Sequence, residues 1–298
     1  MENIDEYELV NKLKNNISNI EERISDACKK AGRSRDEITL IGVSKVFPVE
    51  YAMAAIKAGL TDLGENRVQE LVPKYETVKE AGLDCNWHLI GSLQKNKVKY
   101  IIGKPKLIHS VDSVDLAREI NKRSGANNIV TNILLEANVS GEESKHGFSP
   151  SEIKEAIHEI DLMENIKLNG LMTMAPIQQY DGQAREVFAN TKKLFDELKG
   201  EVNDETAWKV LSMGMSQDFE YAILEGSTCI RRRMSHDEIY GRYKEKRDAY
   251  SPCPGIYLFH GYDRRFNVFT DELQCAYHPE CLCIHTCNRY ADVYADRW

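Results

Sequence analysis

The chain has 298 residues, enough for one large domain or two ordinary ones. Hydrophobic residues make up 42% and charged residues 29%, the balance of a soluble globular protein, and a net charge of −8 argues against non-specific nucleic-acid binding. No apolar run approaches the roughly 18–20 residues that span a bilayer, and the acidic start MENIDEYELV lacks the apolar stretch of a signal peptide. No membrane association and a cytoplasmic location are therefore expected.

Residues 5–31 read as a helix, with Leu9, Leu13, Ile17, Ile20 and Ile24 at three- and four-residue spacing and Gly32 after the last turn. An alternation follows. Strands are expected at 38–45, 61–66, 86–91, 106–111, 129–139, 166–175, 208–213 and 227–231. Helices are expected between them at 49–58, 67–81, 113–124, 151–162, 182–199 and 217–225, with a basic helical segment, QKNKVKYII, after the third strand. Strict strand–helix alternation argues a parallel sheet, and eight repeats over about 200 residues argue a closed (β/α)8 TIM barrel with an extra N-terminal helix. An open doubly wound sheet is the alternative, but no GxGxxG follows the first strand.

After Arg231 the alternation stops. Residues 234–298 form a Cys-, Tyr- and Arg-rich tail, expected to be irregular, in which 240–250 is the one helical stretch. Cys28, Cys85 and Cys229 are scattered through the barrel region and read as free thiols of a reducing compartment, whereas Cys253, Cys275, Cys281, Cys283 and Cys287 crowd the tail. The spacing C-x5-C-x-C-x3-C fits no common zinc finger, so no metal is expected there.

A barrel gathers its strand C-termini at one mouth, where this fold places its chemistry. Those ends carry Lys45, Glu65-Asn66, His88, Asn138, Met172–Met174, Ser212–Ser216 and Arg231. Lys45 either caps its strand and reaches water, as most lysines do, or points into a partly desolvated mouth. In the second case its amine is suited to a Schiff base. In LSMGMSQDFE, Gly214 permits a close turn, Ser212 and Ser216 supply hydroxyls, and a helix N-terminus follows. Such a turn either receives an anion or is plain N-capping by Ser216. Arg231 adds a cation at the last strand. Pyridoxal 5′-phosphate (PLP) has an aldehyde, a phosphate and a pyridine nitrogen to match all three.

The motifs GVSK, GENRVQE, WHLIGSLQKNK, IHSVDS, NVSGEESKHGF, GLMTMAP and LSMGMSQDFEYAILEGST follow one another over residues 5–231. As a set they resemble the pyridoxal phosphate homeostasis protein family, small single-domain PLP-binding proteins related to the alanine racemase barrel. The resemblance implies that Lys45 carries PLP as a Schiff base and that Asn66 lies near the cofactor. It also implies that Ser212, Gly214 and Ser216 help hold it and that Arg231 stands by the pyridine nitrogen. An arginine there keeps that nitrogen unprotonated, which suits a carrier better than a catalyst. No catalytic residue is then expected, and PLP-dependent recipient enzymes and a monomer or weak dimer are implied.

The chain departs from the family at its last strand. The family continues as Arg-(Ile/Val)-Gly-Thr, whereas here Arg232 and Arg233 follow and the Gly-Thr that completes the phosphate cup is missing. The boundary is therefore set at 1–233 for the barrel and 234–298 for the tail, which a frame-shifted or misjoined end would explain. Two other functions stay open: a PLP-dependent amino-acid racemase, and an interaction protein acting through the tail or the basic patch of Lys95, Lys97 and Lys99. His88 beside Trp87 reads as a packed barrel histidine, and Met172, Met174, Met213 and Met215 as core filling.

Overall fold

The computed structural model describes residues 5–141, 146–176 and 182–234, together with 261–263 and 268–270. Eight parallel strands close into a barrel in sequence order: β1 (Thr39–Val43), β2 (Asp62–Glu65), β3 (Asn86–Leu89), β4 (Leu107–Val111), β5 (Thr131–Glu136), β6 (Ile166–Met172), β7 (Val210–Ser212) and β8 (Cys229–Arg233). Closure runs through β1 against β8, from Thr39 opposite Cys229 to Val43 opposite Arg233. The (β/α)8 expectation holds.

Helix α1 (Glu6–Ala31) precedes the barrel; α2 (Val49–Lys57), α3 (Val68–Glu80), α4 (Val98–Ile101), α5 (Val114–Ala126), α6 (Pro150–Ile160), α7 (Gln183–Leu198) and α8 (Phe219–Leu224) follow β1 to β7 in turn. α1 is the expected additional N-terminal helix. It packs against both α8 and α2, the place a helix after β8 would occupy, and so completes the outer ring. Its apolar stripe, Leu9, Leu13, Ile24, Ala27 and Cys28, is buried there.

Most of the core lies between strands and helices, built from outward residues such as Ile108, Ile133, Leu135 and Leu171. By strand alternation their neighbours face inward. Leu107, Leu134 and Met172 make a small separate cluster with Val210. The remaining inward positions include the buried polar groups His88, His109, Ser212 and Arg231. Buried polar side chains must find partners, so this interior is organised by hydrogen bonds.

Most strands are shorter than their apolar runs. β1 ends at Val43 rather than Lys45, β5 at Glu136 and β6 at Met172, because pairing stops while the chain still lines the mouth. Trp208 lies outside β7, buried, stacked on Phe195 with ring centroids 5.3 Å apart, and donating its indole N–H to the Phe195 carbonyl. Of the basic segment after β3 only Val98–Ile101 is α-helical. In the tail, Gly261–Asp263 and Val268–Thr270 pair as two short antiparallel strands, which the sequence pattern did not announce. The expected helix at 240–250 and the five late cysteines lie outside the described residues.

Candidate functional site

Lys45 stands in the turn after β1, half-buried. The next residue, Val46, is 78% exposed and has φ 73°, a left-handed conformation that a β-branched residue adopts only under constraint. The constraint comes from α3 and β2. The Val46 N–H donates to Glu70 Oε2 at 3.0 Å. Directly below, Lys74 Nζ donates to the Ser44 carbonyl at 2.8 Å and to Glu65 Oε1 at 2.5 Å, and the Ser44 hydroxyl donates to the same oxygen at 2.6 Å. Burial pushes the Glu65 carboxyl up, against the pull of Lys74 and Ser44. Its other oxygen, Oε2, is buried with no hydrogen-bond partner. A buried ion pair thus clamps the backbone on which Lys45 is mounted.

Across the β1–β8 seam, Gly214 sits after β7 at φ 95°. A Cβ there would stand 2.6 Å from the Ala222 Cβ and 3.0 Å from the Phe219 Cα. Only glycine lets this turn lie against α8. The turn is fixed by the Asp218 carboxylate, which accepts from the Met215 N–H at 2.5 Å, and by the Gly214 carbonyl, which accepts from the Arg231 N–H at 3.1 Å. The Ser216 hydroxyl accepts from the Arg233 N–H at 3.0 Å, and its carbonyl accepts from the Arg232 guanidinium at 2.6 Å.

Arg231 is 5% exposed and points into the barrel. It donates to the Thr173 carbonyl at 2.8 Å and to Ser212 Oγ at 3.4 Å. Ser212 Oγ is 2.9 Å from His109 Nδ1; His109 Nε2 is 3.0 Å from His88 Nδ1; and His88 Nε2 is 2.9 Å from Asp62 Oδ1. Burial raises Asp62, but the hydrogen bonds from His88 and Thr61 outweigh it and hold the carboxyl at about 2. Burial pulls both histidines down. Burial likewise pushes up the carboxyls of Glu136 and Asp218, the acidic groups that act on Arg231.

All six residues expected at the site lie along one arc of the barrel, on or just past four consecutive strands: Ser212 ends β7, Gly214 and Ser216 follow it, Arg231 lies within β8, Lys45 follows β1 and Asn66 follows β2. Asn66 is half-buried and packs its backbone on Gly91, where a Cβ would stand 2.5 Å from the Asn66 carbonyl oxygen. Ser212 is fully buried and its hydroxyl is turned to His109. His88 is packed, as expected, but it is also a link in a polar chain. His109, Asp62, Lys74 and Thr173 were not singled out from the sequence. The inward alternation of His109 within IHSV was the available sign.

Met172 and Met213 are fully buried, but Met174 and Met215 are 40% and 38% exposed, because both lie past their strand ends on the rim, so they are not core filling. In the basic patch, Lys95 is paired with Asp115 at 2.6 Å and Lys99 lies over the Tyr100 ring. No cluster able to hold a metal ion occurs among the described residues. No helix among them is long and apolar enough to cross a membrane.

An amine, a buried guanidinium and a glycine-built turn on one arc have the chemistry that suits a small anionic carbonyl compound. Residues 11–231 match the family described as alanine racemase, N-terminal domain. The chain is 47% identical over 215 residues to a pyridoxal phosphate homeostasis protein of Aquifex aeolicus, covering 72% of this chain and 92% of that one. Among solved structures it is similar to an unknown protein from Bifidobacterium adolescentis (TM-score 0.71, 34% identity, 78% of this chain and 97% of that one). It is also similar to PipY of Synechococcus elongatus PCC7942 with PLP bound (TM-score 0.62, 28% identity, 73% and 100%). With the barrel, the motif series and a relative this close over nearly its whole length, the chain belongs to the pyridoxal phosphate homeostasis protein family.

Proposed function

We propose that this chain binds pyridoxal 5′-phosphate at the β7–β8–β1–β2 arc, held covalently through the Lys45 amine, and serves vitamin B6 homeostasis as a carrier without turnover of its own. The observation that carries this reading is the placement of Lys45 just past β1 and of Arg231 on β8, the strand paired with β1, beside the Gly214 turn. Ile41 faces Arg231 in the register, so the guanidinium lies deeper in the barrel than the lysine. The residues fit the group: Gly214 lets the turn lie close against α8 beside the strand ends, and the buried guanidinium is held by Ser212 and the Thr173 carbonyl. When bound, PLP supplies an aldehyde that condenses with a lysine amine with loss of one water.

The protein's residues do the rest. The clamp of Glu65, Lys74 and Glu70 orients the Lys45 turn. The turn at Gly214–Ser216 would receive the phosphate, Asn66 would border the mouth, and Arg231 would stand by the pyridine nitrogen as a donor that gives up no proton. The unit is residues 1–233, in a cytoplasmic protein, as a monomer or weak dimer that passes its cargo to PLP-dependent enzymes. Support comes from PipY, whose structure holds PLP, and from the name of the Aquifex relative.

The test is an absorbance titration of the purified full chain with PLP, beside Lys45→Ala. A visible band that saturates in the parent and is absent in the variant is expected. No band in the parent overturns binding at Lys45. Sustained formation of D-alanine from L-alanine by the parent overturns the carrier reading in favour of a racemase.

A further inference from the structure

The barrel interior contains a continuous hydrogen-bonded chain that neither the carrier reading nor the fold requires. It starts at Asp62, at the beginning of β2, and passes through His88 on β3 and His109 on β4. It then crosses the barrel to Ser212 on β7 and ends at Arg231 on β8. Every link is between buried groups, with Asp62, His88, His109, Ser212 and Arg231 at 6%, 2%, 0%, 0% and 5% exposure.

The two ends dictate where each hydrogen sits. A guanidinium can only donate, so Ser212 Oγ is the acceptor at the Arg231 end. An ionised carboxylate can only accept, so His88 must carry its proton on Nε2 at the Asp62 end. His88 Nδ1 is then a bare acceptor, and His109 must supply Nε2–H. His109 Nδ1 is in turn bare, and it takes the one hydroxyl proton of Ser212. Each neutral imidazole has one donor and one acceptor, so the assignment leaves no choice at any link. The neighbours agree with it. Lys106 lies 3.5 Å from Asp62 and favours the carboxylate. Burial keeps both imidazoles neutral, and the Arg231 charge adds to this at His109. The Cys229 thiol beside Ser212 is pushed up to about 12 and stays protonated.

We propose that Asp62, His88, His109 and Ser212 act as one positioning unit for Arg231. Asp62 fixes the tautomers of both histidines, these commit the Ser212 proton to His109, and the Ser212 oxygen is left facing Arg231 as an acceptor. With the Thr173 carbonyl as second acceptor, the guanidinium has one direction. Ser212 accordingly serves the site by aiming Arg231, and it has no proton left to offer a ligand. Only the consequence for the cofactor rests on the reading of Arg231 under Proposed function. The hydrogen arrangement does not.

The direct test uses the full chain, 15N-labelled and without PLP, and records long-range 1H–15N correlations of the histidine rings at about pH 7. His88 and His109 are both expected as neutral rings with the proton on Nε2. Asp62→Asn removes the fixed polarity, since an amide can accept or donate. It is expected to give a mixture of tautomers at His109, two links away and out of contact with residue 62. The same variant is expected to bind PLP about fivefold more weakly, the scale of one weakened charge-assisted hydrogen bond. A His109 protonated on Nδ1, or doubly protonated, in the parent overturns the proposal even if the variant does not fold. So does a folded Asp62→Asn with an unchanged His109. Should the parent show the expected tautomers and yet bind no PLP, the carrier reading fails while the positioning unit stands.

Discussion

Replacing Lys74 by methionine removes the cation from the clamp beneath Lys45. The Lys74 side chain is 9% exposed and that of Glu65 fully buried, so water cannot take over the lost contacts. Removing one partner of a buried ion pair costs about 3–5 kcal/mol, because the remaining charge is left uncompensated. At roughly 2–4 °C per kcal/mol for a domain of this size, the thermal midpoint should fall by about 6–20 °C. The loss should depend on pH in a definite direction. Burial already holds the Glu65 carboxyl above its ordinary 4.5, and Lys74 is foremost among the groups that pull it down. Without Lys74 it moves higher still. A carboxyl raised in the folded state favours folding below its ordinary value and loses that contribution as pH rises through the folded value. The deficit of Lys74→Met should therefore be large at about pH 8 and shrink toward about pH 5. Lys74→Met combined with Glu65→Gln should recover at least half of it. Chemical denaturation of the three proteins at both pH values measures this. A deficit under about 1 kcal/mol, or one that is flat with pH, would refute the clamp.

Gly214→Ala puts a Cβ 2.6 Å from that of Ala222 at a φ of 95°, so it should destabilise the protein by about 1–3 kcal/mol and weaken PLP binding in the same absorbance titration. Restoring the family's last-strand sequence, with Arg232→Val, Arg233→Gly and Met234→Thr, should tighten PLP binding at least tenfold, since each charge-assisted hydrogen bond regained is worth about 1.5–3 kcal/mol. Equal dissociation constants would show that the arginines already complete the cup.

The barrel was legible because a parallel sheet buried on both faces leaves apolar runs separated by helical periods. What the pattern could not carry was where pairing ends. The run Ile38–Lys45 reads as one strand, yet only Thr39–Val43 is in it, and Ser44 and Lys45 belong to the turn at its C-terminal end. The same uncertainty put Met174 and Met215 in the core when they line the mouth. Periodicity also showed that the first helix is amphipathic without showing that it packs between α8 and α2. Lys74 sat in a helical pattern among Glu70, Lys79 and Glu80, where a lysine normally reaches water. It is buried because Glu65, nine residues earlier in the chain, lies beneath it.

The site was legible as a set of positions and much less so as a set of roles. Strand ends are found by counting, so Lys45, Asn66, Gly214, Ser216 and Arg231 fall on one arc. What each side chain does depends on partners far away in sequence. Ser212 and Ser216 look equivalent in SMGMS, yet one hydroxyl is sealed against His109 and the other accepts from the backbone of Arg233. The run Arg231-Arg232-Arg233 makes the same point. As letters it is a basic cluster. In the barrel, strand alternation splits it. Arg231 turns inward to the Thr173 carbonyl. Arg232 turns outward over the Phe219 ring and holds the Ser216 carbonyl. Arg233 is exposed and contributes its backbone N–H. The chain's departure from its family thus leaves the inward cation in place and alters the two residues that border the Gly214–Ser216 turn.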